Sequence, residues 1–281
     1  MFEDFNEVVC LGMGGSYSEI AKDKLFKAYD LFLYQRSLNN IKECIDFVDE
    51  NANAIAILPV ETTFKGIIRE TIDNLITTKN QNIQILAETI IPVNDCILSK
   101  TTEFYSLSGL IANPNALAKC KTFIKEELPR QMDIIIADSM DDSARRLNNF
   151  NLTYSIIGTH KTAEIYNLNV LKEHVEDFKN NNRRFIVIGD GVTKPTGHDK
   201  TSIVMFLDDR QGALLDIIQV FVKYHINITQ INSKMMNNDL NEQAVFIDFD
   251  GHKEDKLSKK LIEDLIPHTK GLRIIGSYAQ F

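Results

Sequence analysis

A glycine-rich turn near the start of the chain has the geometry of an anion site. Gly12, Gly14 and Gly15 precede Ser16 and Ser18, where a helix is predicted to begin. Glycine lets backbone N–H groups approach a ligand closely, and the unpaired N–H groups at a helix start attract anions. The turn lacks both the lysine of a P-loop and the third glycine of G-x-G-x-x-G, so it predicts a carboxylate or phosphate site more than a nucleotide site. The alternative is a tight turn capped by serine.

A second candidate lies where a buried strand ends and a helix with a stripe of isoleucines is predicted to begin, near Thr63. Glu61 stands at the C-terminal edge of that strand, which is where ligands bind in open α/β sheets. Thr62 or Thr63 would cap the helix. The alternative is a simple cap with a solvated Glu61.

The third candidate is Arg183, Arg184 and Phe185 at the mouth of another buried strand. Two adjacent guanidinium groups are planar donors suited to carboxylates. The alternative is a solvated basic turn. All three candidates fall at strand ends of one domain, as a single cleft for an anionic small molecule requires.

The elements that position these residues form an α/β pattern up to about residue 190, with short apolar runs between amphipathic helical stretches. The runs predicted as buried strands are 8–11, 55–58, 134–137, 155–157 and 185–188. Residues 189–199 concentrate Gly, Pro and Thr, which predicts a linker. A second unit then reads β (201–207), α (212–225), β (226–234), β (243–250), α (253–266), β (272–277). That order is ferredoxin-like. We therefore expect domains at 1–190 and 200–281.

Composition narrows the class of protein. The chain has 281 residues, a formal net charge of -8 and 44% apolar residues, which indicates a folded protein with a substantial core. We expect no membrane span and no nucleic-acid partner, because no apolar run is long enough and the charge is acidic. The acidic N-terminus lacks a secretory signal, which favours the cytoplasm.

No spacing indicates a metal site or a cofactor. Four isolated cysteines are expected to be buried reduced thiols: Cys10, Cys44, Cys96 and Cys120.

The motifs taken together resemble the prephenate dehydratase family over nearly the whole chain. The matching segments, in the family's order, are G-x-G-G-S-Y-S, L-P-V-E-T-T-F-K-G-x-I-x-E-T-I-D-N-L, N-P-N-A-L-A-K-C, A-D-S-M-D-D-S-A-R, I-I-G-T, N-N-R-R-F-I-V-I, K-T-S-I-V-M-F, Q-G-A-L, N-I-T-Q-I-N-S-K and G-S-Y. The resemblance implies a two-lobed, periplasmic-binding-protein-like catalytic domain with its site between the lobes. We expect the lobes to divide near residues 80 and 165. An ACT domain that binds phenylalanine for feedback inhibition is implied to follow.

The resemblance also implies roles for individual residues. The implied catalytic set is Ser16, Glu61, Thr62, Thr63 and Arg183, and the implied substrate-binding set is Gly15, Ser18, Asn113, Ser139, Arg184 and Phe185. Arg184, with Arg183 beside it, is expected to bind a substrate carboxylate. The family's T-R-F motif has a threonine that helps the substrate hydroxyl leave, and Arg183 occupies that position here. The expected hydroxyl is therefore missing.

The resemblance places a phenylalanine site at Gly212, Ala213 and Leu214 together with Asn232 and Ser233. The family's E-S-R-P loop diverges here to N-S-K-M. A half-exposed antiparallel sheet commonly needs a partner surface, so a homodimer or homotetramer is expected. Two other functions stay open. One is a prephenate-consuming decarboxylase that keeps the hydroxyl, and the other is a non-catalytic sensor of prephenate or an amino acid.

Overall fold

A computed structural model of the chain describes residues 2–78, 80–235 and 242–280. Its strands, in chain order, are β1 (Glu7–Leu11), β2 (Tyr34–Leu38), β3 (Ala54–Thr62), β4 (Gly66–Ile67), β5 (Ile83–Pro92), β6 (Cys96–Ser99), β7 (Gly109–Ala112), β8 (Asp133–Ile136), β9 (Tyr154–Gly158), β10 (Asn169–Lys172), β11 (Asn182–Asp190), β12 (Asp199–Asp208), β13 (Ile228–Met235), β14 (Glu242–Asp250) and β15 (Gly271–Ala279). Its α-helices are α1 (Tyr17–Tyr29), α2 (Ile41–Glu50), α3 (Arg69–Thr77), α4 (Pro114–Lys119), α5 (Lys121–Glu127), α6 (Met140–Leu147), α7 (His160–Tyr166), α8 (Ala213–Tyr224) and α9 (Lys256–Leu265).

The first lobe is built on a sheet in which β5, β11, β3, β1 and β2 are neighbours in that order. Side chains alternate along β3 and β11, so each strand contributes to a core on both faces. Ile55, Ile57 and Val187 face α1, whereas Ala56 and Ile188 face α2 and α3. Both faces of the central strands are therefore buried, as the continuous apolar runs predict.

The second lobe holds a separate sheet in the order β10-β6-β9-β7-β8. The chain crosses into this lobe after β5 ends at Pro92 and returns before β11 begins at Asn182. The predicted divisions near residues 80 and 165 both lie earlier in the chain than these crossings. The two-lobed architecture itself is confirmed.

The isoleucine-striped helix begins later than the sequence predicts. Gly66 adopts φ +70 and is the first residue of β4, which pairs antiparallel with the end of β3. The Thr62 hydroxyl accepts the backbone N–H of Lys65 at 2.9 Å inside this turn. The helix α3 starts only at Arg69, and its N-cap residue makes no side-chain capping bond. The prediction that Thr62 or Thr63 caps this helix is therefore wrong.

The C-terminal unit has the predicted ferredoxin-like order β12-α8-β13-β14-α9-β15. Its strands form an antiparallel sheet in the order β13-β14-β12-β15. The helices α8 and α9 bury one face of it through Ile217, Phe221, Leu261 and Leu265. Residues 191–198 connect the units without regular structure, so the predicted linker is confirmed apart from its end residues, which belong to β11 and β12.

The second face of the C-terminal sheet is covered by the same chain. Phe246 and Tyr278 share a core with Leu75 and Ile76 of α3. Gly276 of β15 pairs with Ile85 of β5, where a Cβ at Gly276 would lie 2.4 Å from the Ile85 oxygen. The expectation of a face left open for another chain is therefore wrong.

The remaining composition-based expectations concern thiols and membrane helices. All four cysteines are free and buried, as predicted. Burial raises the pKa of Cys10 to about 11 and the pKa of Cys44 and Cys96 to about 12. In the described part of the chain, no helix is both long and apolar enough to cross a membrane.

Candidate active site

Two adjoining cavities lie between the lobes and share Asn115, Lys119 and Arg183 in their walls. The first has a volume of about 320 Å³ and is further lined by Leu11, Gly12, Met13, Ser16, Tyr17, Ser18, Asn39, Pro59, Asn113, Ala116, Asp138, Ser139, Met140 and Asp141. The second has a volume of about 260 Å³ and is further lined by Thr62, Phe64, Lys65, Ile68 and Asn181. Both volumes suit a small ligand.

Three helix N-termini surround the first cavity. Ser16 caps α1 by accepting the Glu19 N–H at 3.2 Å, Asn113 caps α4, and Ser139 caps α6. The partial positive charge at each helix start favours an anion. The structure thus brings Ser16, Ser18, Asn113 and Ser139, all predicted site residues, to one cavity.

The two adjacent arginines point in opposite directions. Arg183 pairs with Thr62 across the sheet and lines both cavities, while Arg184 pairs with Glu61 on the other face. The Arg183 guanidinium carbon lies 4.9 Å from the centre of the Tyr17 ring. Burial lowers the pKa of Arg183. Its Nε is buried without a hydrogen-bond partner among the described residues.

Arg184 is instead the centre of a buried ionic network between the first lobe and the C-terminal unit. It donates to Glu88 at 2.7 Å, to Asp248 at 2.9 Å, to the Tyr278 hydroxyl at 2.9 Å and to Gln230 at 3.0 Å. Burial by itself would lower the pKa of Arg184. Its electrostatic interactions with Tyr278, Asp248 and Glu88 are stronger than this effect, so the pKa of Arg184 is raised. The prediction that Arg184 binds a substrate carboxylate is therefore contradicted, because its donors are used inside the protein.

Four other predicted site residues lie outside the cavities. A carboxylate oxygen of Glu61 lies 3.9 Å from a guanidinium nitrogen of Arg184. Phe185 is fully buried in the apolar core between the first-lobe sheet and α1. Thr63 is exposed and donates to the Asn182 oxygen at 3.3 Å. Gly15 accepts the Thr159 hydroxyl at 2.7 Å, a contact that joins the two lobes. Glu61 and Thr63 therefore do not reach the place where they were expected to act.

The structure adds three residues that sequence reasoning missed. The Tyr17 hydroxyl donates to Asp95 at 3.1 Å and accepts the Asn94 N–H at 2.9 Å. The Lys119 ammonium bonds the other Asp95 oxygen and lies 5.4 Å from the Tyr17 ring centre. Tyr17 and Lys119 belong to segments that resemble the family, so the sequence pointed to the region of each residue. Asp95 belongs to none of those segments, and no sequence pattern indicated it.

The predicted effector residues lie toward one end of the C-terminal sheet. Gly212, with φ +87, is the N-cap of α8 just after β12, and Asn232 and Ser233 lie near the end of β13. The last residues of β12 and β13 both pair with the first residues of β14, so the two segments share that end. Ala213 is buried and Leu214 packs on the α8 and α9 core. An effector role for these five residues stays a prediction.

The chain is similar to known proteins over nearly its whole length. The family model described as prephenate dehydratase matches residues 8–192. A prephenate dehydratase of Methanocaldococcus jannaschii is 32% identical over 279 residues, which cover 95% of this chain and 96% of that protein. The bifunctional chorismate mutase/prephenate dehydratase of Aquifex aeolicus is 28% identical over 240 residues, covering 85% of this chain and 65% of that protein. A crystal structure of prephenate dehydratase from Arthrobacter aurescens in complex with L-Phe superposes with a TM-score of 0.86 at 26% identity, covering 98% of this chain and 90% of that one.

Proposed function

Because the chain belongs to the prephenate dehydratase family, we propose that it converts prephenate to phenylpyruvate, carbon dioxide and water in the cleft between its lobes. The observation that carries this proposal is the convergence of three helix N-termini with the cations Arg183 and Lys119 on one cavity. Such a site suits a small dianion. Aromatisation of the ring supplies most of the driving force.

The two cavities differ in a way that matches the two carboxylates of prephenate. The retained carboxylate belongs in the first cavity, where the starts of α1, α4 and α6 favour negative charge. The departing carboxylate belongs against Phe64 and Ile68, the apolar side of the second cavity, which Lys65, Lys119 and Arg183 also line. An apolar wall there raises the energy of a localised carboxylate relative to the transition state, in which its charge spreads into the ring.

Arg183 is the main candidate for substrate binding at the boundary of the cavities. Its Nε is buried without a hydrogen-bond partner among the residues described, and an anionic ligand would supply one. A hydrogen bond between charged groups contributes about 1.5–3 kcal/mol. Arg183 therefore takes the carboxylate role that the sequence analysis expected chiefly of Arg184.

Thr62 is the one member of the Glu61-Thr62-Thr63 run that lines the cleft. Its oxygen accepts the Lys65 N–H, which leaves the hydroxyl hydrogen for a ligand. We assign Thr62 to binding the substrate in the second cavity. A hydroxyl is too weak an acid to serve as a free proton donor near neutral pH, so Thr62 is assigned to binding and not to protonation of the leaving group.

Product analysis tests the proposed reaction. Purified protein is incubated with prephenate, and a boiled sample controls for spontaneous aromatisation in acid. Phenylpyruvate above that control supports the proposal. A product that has lost carbon dioxide but kept its hydroxyl would replace it with the decarboxylase, and unchanged prephenate would replace it with a ligand sensor. The variant Arg183→Thr, which restores the family's threonine hydroxyl, is assayed in the same way. Its turnover should rise only if Arg183 has merely replaced that threonine and has no role of its own.

The C-terminal unit, residues 200–281, is proposed to be an ACT domain that follows a catalytic domain at 1–190. It is proposed to bind phenylalanine at Gly212, Ala213, Leu214, Asn232 and Ser233. The relative from Arthrobacter aurescens, which contains L-Phe, supports this assignment. Gly212→Ala should abolish inhibition by phenylalanine and keep the basal rate. Gly197→Ala is a matched control, since both glycines have φ near +88 and open space around them. Equal inhibition of the two variants would exclude this pocket.

We further propose a cytoplasmic homodimer or homotetramer. Support comes from β13, which is an edge strand of the sheet that continues from the C-terminal unit through β15 and β5 into the first lobe. Its Ile231 and Met235 side chains are exposed. Light scattering at micromolar concentration tests the assembly, and a monomer would overturn it.

A further inference from the structure

The reaction proposed above leaves one chemical requirement without an assigned residue, and the inference drawn here rests on that proposed function. As the bond to the departing carboxylate breaks, its electron pair enters the ring and the C–O bond breaks. The leaving oxygen takes one proton and departs as water. The donor must line the cleft and hold a transferable proton, which it later regains from solvent.

Most cleft groups fail this requirement. Arg183 lines both cavities, but a guanidinium does not release its proton in proteins. Tyr17 already donates its phenolic proton to Asp95, and burial raises its pKa well above the ordinary value. Asp141 accepts from the Tyr166 hydroxyl and pairs with an arginine, while the Asp138 side chain is 94% exposed.

Lys119 meets the requirement. It is the last residue of α4, its side chain is only 10% exposed, and it lines both cavities. Its ammonium carries three protons, and Asp95 is its hydrogen-bond acceptor among the described residues. Lys119 and Arg183 lie 5.4 and 4.9 Å from the same Tyr17 ring centre.

The second lysine of the cleft does not have these properties. Lys65 lines only the second cavity, is exposed, and donates to Asn115 at 3.1 Å. It therefore does not stand at the boundary of the two cavities, as Lys119 does.

We propose that Lys119 is the proton donor to the leaving hydroxyl and that Asp95 is the positioning residue that holds the Lys119 ammonium at the cleft. Asp95 is fully buried in the segment that crosses between the lobes. Tyr17 binds its second carboxylate oxygen, and its own N–H donates to Glu176 at 2.9 Å. These contacts hold the carboxylate in place, and its negative charge stabilises the ammonium.

Steady-state kinetics with prephenate test the proposal. Lys119→Met should lower kcat by about 100-fold or more, because general-acid catalysis is lost. Lys119→Arg keeps the positive charge but cannot release a proton, so kcat should fall to a similar extent while KM changes little. Lys121→Met, an exposed lysine outside the cleft, is the matched control and should keep the kcat of the unmodified protein. Thermal unfolding verifies that each variant is folded.

Two results would overturn the proposal. An unchanged kcat in Lys119→Arg would mean that only the charge matters, and a raised KM with unchanged kcat in Lys119→Met would make Lys119 a binding residue. Failure of the proposed function can be distinguished from failure of the Lys119 assignment. If the proposed function is wrong, the unmodified protein and Lys121→Met would both lack turnover.

The split between kcat and KM supplies a readout that a purely structural role would not move. Asp95→Asn removes the carboxylate that holds the Lys119 ammonium at the cleft, so kcat should fall while KM for prephenate changes little. An unchanged kcat in a folded Asp95→Asn variant would overturn the positioning role of Asp95.

Discussion

Replacing Arg184 with methionine should destabilise the protein strongly, because Arg184 is the shared partner of two buried carboxylates. The side chains of Glu88 and Asp248 are 2% and 1% exposed. Glu88 would keep its contact with Lys200 at 3.0 Å, but among the described residues Asp248 would keep only the Ser202 side-chain hydroxyl, at 2.6 Å. The variant therefore leaves one buried carboxylate without a counter-charge from the part of the chain that the structure describes.

The magnitude follows from that uncompensated charge. Removing one partner of a buried ion pair costs about 3–5 kcal/mol, because the remaining charge stays desolvated. At about 2–4 °C per kcal/mol for a chain of this size, the melting temperature should fall by on the order of 10 °C. Arg210→Met is the control. Its ion pair with Asp216 lies at the surface, so it should change stability by less than about 0.5 kcal/mol.

Urea unfolding of Arg184→Met, Arg210→Met and the unmodified protein measures these free energies. A second variant, Arg184→Met combined with Asp248→Leu, removes the uncompensated carboxylate and should recover at least about 1 kcal/mol. A loss below about 1 kcal/mol in Arg184→Met, or no recovery in the double variant, would refute the claim that this buried network holds the C-terminal unit against the first lobe.

Three further predictions address substrate binding, lobe contact and pH. Arg183→Met should raise KM for prephenate by about 10-fold to 100-fold, as loss of a charged hydrogen bond implies, and initial rates measure this. Gly15→Ala should cost about 1–3 kcal/mol more than Gly197→Ala in urea unfolding, because its Cβ would lie 2.3 Å from the Thr162 nitrogen, whereas Gly197 faces open space. Burial lowers the pKa of His252 below 6.5, so the unfolded chain binds that proton first. The free energy of unfolding should therefore fall as pH drops below about 6.5, and His252→Gln should flatten this dependence.

Local sequence patterns predicted much of the fold. The apolar runs of β1, β3, β9 and β11 were found, and the βαββαβ order of the C-terminal unit was correct. Strands with other patterns were missed for identifiable reasons. The edge strand β2 is mostly exposed and has no apolar run, and Glu88 and Thr89 interrupt β5 because they are buried polar residues.

The candidate site was predicted in part. Ser16 was identified at a predicted helix start, whereas Asn113 and Ser139 were implied by the family resemblance, and all three line one cavity. The pair Arg183 and Arg184 shows the limit of this reasoning. Alternation along a strand requires that only one of them face the cleft, but which one depends on what packs against each face of the sheet.

The sequence by itself determined the family, the two-lobed and ferredoxin-like architectures and the helix start at Ser16, because these depend on motifs and on periodicity along the chain. Only the tertiary structure decided that Arg183 lines the cleft, that Arg184 joins the C-terminal unit, and that Asp95 holds Lys119. These contacts join residues far apart in the chain, and the C-terminal sheet likewise packs its second face on α3 of the first lobe. Their geometry follows from the packing of whole lobes, which no local pattern encodes.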